Sequence, residues 1–288
     1  MKENKSDRLF RIVVTLFLIL VALFAVIPLL STVALSLSSS NAVNRNAVTL
    51  WPVDFTFASW QYILRDLTLW RSCLITAVST ILTVVLSILV TALMAYPLSK
   101  PFLRGGRVLM VAVILTMIFK APVVPYFLTL RTLGMYNNPI VLVLPHLFSA
   151  FNMAILRTSF KAFPAEIEEA AVIDGCGYGR VLFRVILPSQ KATLTTIGLF
   201  YGVVAWNQFQ HPLMFISDVR WYPLQMRIRQ VINGGSEVML TVLKSNNLYN
   251  ETTLGAATML FAILPVIAVY PWLQKYFTKG AMLGSVKG

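Results

Sequence analysis

The chain has 288 residues, of which 57% are hydrophobic and only 12% charged, too few for the surface of a water-soluble domain, where about 25% are charged. Its net charge of +13 comes from Lys and Arg placed between long apolar runs, as membrane-flanking charges are, and no basic run interleaved with aromatics offers a nucleic-acid face. The composition excludes a soluble globular protein and a nucleic-acid binder, and points to a chain dissolved in lipid.

Lys2, Lys5, Arg8 and Arg11 precede the first apolar run, 12–35. With Ala34-Leu35-Ser36 they have the look of a cleavable signal, but the run exceeds the roughly 7–15 residues of a signal core, so an uncleaved signal-anchor helix is expected. The following runs are 73–98, 108–130 (interrupted by Lys120, Pro122 and Pro125), 140–156, the more polar 194–216, and 254–277 with Pro265 and Pro271. Crossing the hydrocarbon core takes about 20 apolar residues, and only helices or closed barrels satisfy their backbone there. Barrel strands alternate and these runs do not. The expected fold is all-α and polytopic, with six transmembrane helices in a single domain, 1–288. Cys73 and Cys176 lie far apart with no metal-ligand spacing and are read as structural and unpaired.

Lys and Arg set the orientation. They concentrate before the first run, at Lys100, Arg104 and Arg107, between Arg157 and Lys191, and at Lys275, Lys279 and Lys287. The positive-inside bias then places both termini in the cytoplasm. The first outside loop, from about Ser36 to Ser72, carries Trp51-Pro52, Phe55, Phe57, Trp60 and Tyr62, suited to the membrane interface. The third, from about Ser217 to Thr253, carries Arg220, Arg227, Arg229, Gly234-Gly235 and Ser245-Asn246-Asn247. Its arginines are candidates for an acidic face of a partner or an acidic sugar, against the plainer reading of a solvated loop.

Polar residues inside the runs are the candidates for a transport pathway. A Lys at a helix centre costs about 2.5–3.5 kcal/mol on insertion scales, so Lys120 is expected to face the bundle interior or a water-filled cavity, or else to snorkel or pair with another subunit. Pro122 and Pro125 predict an irregular helix beside it. Asn152, Asn207, Gln208 and Gln210 could bind sugar hydroxyls or serve as interhelical glue. Tyr201 and Trp206 could stack on a sugar ring or simply pack. His146 and His211 show no ligand geometry and receive no role.

The inside loop, 157–193, has its own local signals. Pro164 suits the first helical position, Glu166, Glu168 and Glu169 complement the N-terminal dipole, and Gly175 suits the stop. A helix of about ten residues outside the bilayer is predicted, then a second over Tyr178–Leu187 ended by Pro188, with Val181, Leu182 and Val185 on one face. Such a pair suits docking into a partner's groove, and a loop lying on the headgroups is the alternative.

Glu169-Ala170-Ala171, three residues, Gly175, nine residues, then Val185-Ile186-Leu187-Pro188 resembles the EAA loop of ABC importer permeases, departing only in Val185 where that family usually has Ile. The whole chain is similar to carbohydrate-type permeases, notably the oligosaccharide group that includes the alginate importer; Tyr222-Pro223-Leu224-Gln225 and the tail from Tyr270-Pro271-Trp272 onward carry that likeness. The resemblance implies a non-enzymatic permease in a bacterial cytoplasmic (inner) membrane. Its partners would be a second permease subunit in a heterodimer, two ATPase subunits holding ATP and Mg, an extracytoplasmic solute-binding protein and an oligosaccharide. It assigns ATPase coupling to Glu168, Glu169, Ala170, Ala171, Asp174, Gly175, Leu187 and Pro188. The absence of any GxxxxGK[ST] stretch agrees that energy comes from another chain. No cofactor is expected on this chain. Lys120 with the three loop arginines tilts the expected cargo toward a uronate-containing glycan. A secondary transporter or channel subunit would explain the spans but not the loop, and a membrane enzyme lacks any paired carboxylates, metal cluster or nucleophile-base arrangement.

Overall fold

The computed structural model describes residues 5–233 and 250–285, so Gly234-Gly235, Lys244, Ser245-Asn246-Asn247 and the last three residues of the tail lie outside the described residues. All regular structure among the described residues is helical. Three helices contain stretches long and apolar enough to cross a membrane, Leu9–Ser36, Leu67–Ser99 and Glu251–Pro271, and the number rises to five if each of two bent helix pairs is one span. At 1.5 Å per residue the 28 residues of Leu9–Ser36 reach about 42 Å, more than the hydrocarbon core of about 30 Å. Its apolar side chains, from Phe10 to Val33, are exposed on every face, as a lipid-facing helix requires.

The chain divides into two compact units, Met1–Trp70 with Arg227–Pro265, and Arg71–Met226 with Val266–Gly288. In the first, the segment after the opening helix folds back on that helix's end. Ser39 N–H donates to Val53 O at 3.3 Å, Thr56 N–H to Leu37 O at 2.9 Å, and Trp60 Nε1 to Ser36 Oγ at 3.2 Å. Trp51 at its tip is 80% exposed, a position open to an interface. Asn250 and Thr253 cap the helix Glu251–Ser285 reciprocally, Thr253 N–H donating to Asn250 Oδ1 at 2.8 Å and Asn250 N–H to Thr253 Oγ1 at 3.1 Å. That helix runs on through Pro265 and Pro271.

The second unit is organised by the helix Leu67–Ser99. Ser72, Thr76, Ser79, Thr83, Ser87 and Thr91 recur every three or four residues along it, and all are buried. The spacing puts them on one face, where hydroxyls can satisfy backbone groups of broken helices. Thr76 Oγ1 accepts from Leu224 N–H at 2.8 Å, Ser87 Oγ donates to His146 O at 3.2 Å, and Thr91 Oγ1 lies 2.7 Å from Tyr201 Oη, which accepts from Ser149 N–H at 3.0 Å. Further along, Ala92, Ala95, Tyr96 and Leu98 pack with Met153, Leu156, Phe160, Val181, Leu182, Ile186 and Ile197 in one apolar core. Gly198 allows Lys191–Trp206 to approach closely: a Cβ there would sit 3.2 Å from Ile88 Cδ1.

Two expected spans are broken. Gly106–Ile118 and Val123–Thr132 meet at 114°, with Lys120 in the break. Pro122 explains it: the residue before a proline is pushed out of the helical region, and Pro122 cannot donate into a continuing ladder. In 140–156, two 3-10 turns, Pro139–Leu142 and Leu144–His146, precede the helix Ala150–Lys161 at a 45° bend. Lys191–Trp206, at 16 residues and about 24 Å, stops at Asn207, and Gln210–Phe215 follows as a separate turn and a half.

Candidate functional site

The helix of the long loop runs Ala165–Ile173, with Pro164 one place earlier than the sequence suggests, just outside it. Its C-terminus is closed by two crossed hydrogen bonds. Gly175 N–H donates to Val172 O and Cys176 N–H to Ala171 O, each at 3.0 Å. This is the Schellman pattern, and it places Gly175 at φ +81°, a left-handed conformation natural to glycine. Ala171 and Cys176 pack against the apolar core, the hydrophobic contact that accompanies this cap.

No residue of this helix is fully buried, and Ile173 is 85% exposed. Glu169, Ala170, Asp174, Gly175 and Pro188 are exposed, whereas Glu168, Ala171 and Leu187 are half-buried. The loop therefore presents an acidic, small-residue and apolar outer face on a base packed into its own unit. Tyr96 Oη donates to Glu168 Oε1 at 2.7 Å, and Lys100 pairs with Glu168 Oε2.

The second helix ends at Ser189, one residue beyond Pro188. Tyr178–Val181 passes into a π-helical turn, Leu182–Ile186, then Leu187–Ser189, and the chain re-enters helix at Lys191. The widened turn accommodates a proline that has no N–H to give and whose ring would crowd the preceding turn. Ser159 holds this junction, its Oγ donating to Gln190 Oε1 at 2.5 Å and lying 2.9 Å from Thr193 Oγ1. The buried face is Val181, Leu182 and Ile186, with Val185 half-buried beside it.

The pathway candidates separate. Lys120 is exposed at the 114° corner and has no ion-pair partner among the described residues. Asn152 is buried in the first turn of Ala150–Lys161. Tyr201 is buried with its hydroxyl committed to Thr91 and Ser149, which makes it a packing residue. Tyr201→Phe should leave the Ser149 N–H unpaired at a cost of about 1–3 kcal/mol, read as a lower thermal midpoint in detergent. Trp206 is half-buried, and Asn207, exposed at the helix end, accepts from Gln225 Nε2 at 3.3 Å. Gln208 is buried, donating to Leu142 O at 3.2 Å, while its Oε1 has no partner among the described residues.

One pairing has no signal in the sequence beyond two histidines in apolar runs. The His146 and His211 rings lie 4.6 Å apart edge-on, and Tyr126 Oη is 3.1 Å from His211 Nε2. Of the three candidate arginines, Arg220 forks onto Asp218, with Nε 2.9 Å from Oδ2 and a guanidinium nitrogen 2.7 Å from the same oxygen. That hydrogen bonding holds the Asp218 carboxyl below the ordinary carboxylate range. Arg227 and Arg229 lie on the helix Leu224–Ile232, where Arg227 donates to Gln230 Oε1 at 2.9 Å.

Residues 76–282 match the family described as binding-protein-dependent transport system inner membrane component. The chain is 34% identical over 285 residues to the polygalacturonan/rhamnogalacturonan transport system permease protein YtcP of Bacillus subtilis (strain 168), covering 98% of this chain and 100% of that one. It is 34% identical over 292 residues to Protein LplC of the same organism, covering 100% and 98%. Among solved structures it is similar to a chain of a bacterial ABC transporter involved in the import of the acidic polysaccharide alginate, with a TM-score of 0.89, 34% identity, and coverage of 96% and 99%.

Proposed function

The chain belongs to the binding-protein-dependent transport system inner membrane component family and is a multi-pass permease subunit of a carbohydrate ABC importer, a transport subunit and not an enzyme; from that premise we propose how it is driven and what it carries. It crosses the membrane six times as one transmembrane domain with both termini in the cytoplasm, the orientation favoured by its Lys and Arg distribution. It pairs with a different permease chain around a shared pathway, and a solute-binding protein delivers the glycan from outside. Two ATPase subunits, which bind ATP and Mg, dock on the exposed face of Ala165–Ile173 through Glu169, Ala170, Asp174 and Gly175. The observation that carries this reading is the geometry of that helix: no residue of it is fully buried, yet its C-terminal end is fixed by the Gly175 cap. Closure of the ATPases moves the permease pair between inward-open and outward-open states as rigid bodies.

The cargo is an oligosaccharide bearing uronates. Supporting this, two similar proteins at 34% identity are named for polygalacturonan/rhamnogalacturonan transport and for import of the acidic polysaccharide alginate. Lys120 stands exposed at a broken span, and Arg220, Arg227 and Arg229 follow in the outer loop. Purification from the native membrane should recover a second permease and an ATPase chain, and acidic oligosaccharides presented with the binding protein should stimulate ATP hydrolysis where neutral ones of equal length do not. Equal stimulation by both would remove the uronate assignment, and recovery without any ATPase would remove the driving mechanism.

A further inference from the structure

Glu168 and Glu169 are neighbours on a helix, so their side chains leave it about 100° apart. Glu169 is exposed, whereas Glu168 turns inward and is held from two sides. Tyr96 Oη donates to one carboxylate oxygen at 2.7 Å and Lys100 pairs with the other. The Lys100 and Glu168 side chains are only 12% and 14% exposed, and the Lys100 ammonium lies over the Tyr96 ring, 4.6 Å from its centroid. Solvent-exposed pairs of this kind contribute little, but a mostly buried pair resists separation, because pulling it apart leaves a charge uncompensated.

The grip falls on the end of Leu67–Ser99, the helix on which the rest of the second unit hangs. Arg157 Nε donates to Leu98 O at 2.7 Å, so the same helix end is also tied to Ala150–Lys161. Further along, Ser87 bonds to His146 O in the broken segment 139–161, Thr91 bonds to Tyr201, whose hydroxyl also takes the Ser149 N–H of that segment, and Thr76 bonds to Leu224 N–H. Clamped at its end and bonded along one face, this helix is placed to carry a displacement as a unit. A displacement of the loop helix therefore reaches the broken segments through Glu168 without any rearrangement of the loop itself.

We propose that Glu168, held by Lys100 and Tyr96, is the positioning residue that hands the movement of the loop helix to Leu67–Ser99. The division of labour between adjacent glutamates follows: Glu169 faces the partner and Glu168 faces the permease. This rests on the reading that an ATPase docks on the loop, and the test separates the two.

The experiment uses the complete importer in proteoliposomes with its binding protein, comparing wild type, Glu168→Gln, Lys100→Met and the exchange Glu168→Lys with Lys100→Glu. Three quantities are read: ATPase chain recovered per permease, ATP hydrolysed, and glycan taken up. Glu168→Gln and Lys100→Met should retain the ATPase and hydrolyse ATP within about twofold of wild type, while uptake per ATP falls about tenfold, a coupling change of the size seen when a linking contact is removed. The exchange should recover at least about a third of wild-type uptake per ATP, since it rebuilds the pair with its charges reversed. Unchanged uptake per ATP in the single variants would overturn the proposal. So would loss of the ATPase from Glu168→Gln, which would make Glu168 a docking residue, or loss of the single variants from the membrane, which would make the contact a support of the fold. Failure of the exchange to recover uptake would also overturn it. Absence of any ATPase on the wild-type complex would instead overturn the docking reading.

Discussion

Replacing Gly175 with proline is expected to abolish glycan uptake while leaving the amount of protein in the membrane unchanged. Gly175 sits at φ +81°, which proline, locked near −65°, cannot reach. Its N–H closes the helix onto Val172 O at 3.0 Å, and proline has no N–H. Losing that bond also displaces Cys176, whose N–H reaches back to Ala171 O and which packs on the core. Proline therefore cannot form this cap, and the end of the nine-residue helix should unwind. Gly175→Ala is the informative control. Nothing lies within 4 Å of a Cβ built there, so alanine meets backbone strain alone, roughly 1–2 kcal/mol, and should retain a measurable part of the uptake. The loop helix contains none of the three long apolar helices, so neither change should impair insertion.

The second large effect is expected at Lys120. Reversing it to glutamate should cut uptake of a uronate oligosaccharide at least about tenfold, since a pair of charges 4 Å apart at an effective dielectric of 20 interacts by about 4 kcal/mol and the reversal turns attraction into repulsion. Uptake of a neutral oligosaccharide, where measurable, should change little. Insertion scales penalise the two charges similarly, so membrane levels should match wild type. Loss of acidic and neutral uptake together would place Lys120 in the fold or in a subunit contact instead of the pathway.

The loop was legible because its determinants are local. Pro164, the acidic first turns and Gly175 act within a few residues of themselves, and capping chemistry needs no knowledge of the tertiary structure. What lay beyond reach was direction. Nothing in Ile167-Glu168-Glu169 says which carboxylate turns inward, because Lys100 and Tyr96 stand 68 and 72 residues away. The stretch 108–130 looked like one interrupted span because hydropathy records composition and not heading, whereas the chain turns through 114° at Lys120. Pro188 marks the stop to within one residue, and the π-turn before it is what the sequence does not announce. The hydroxyl stripe from Ser72 to Thr91 was present in the sequence as a helical period of polar residues in an apolar run, a better guide to the buried face than any single polar residue.

The proposed drive for this permease is a separate ATPase acting through its long loop. Its most direct test is uptake of labelled acidic oligosaccharide into proteoliposomes holding the purified complex, with ion gradients collapsed by ionophores. Uptake should require ATP on the side of the loop and binding protein on the other, and should survive the ionophores. Uptake that proceeds without ATP and disappears when the ion gradients are collapsed would contradict it.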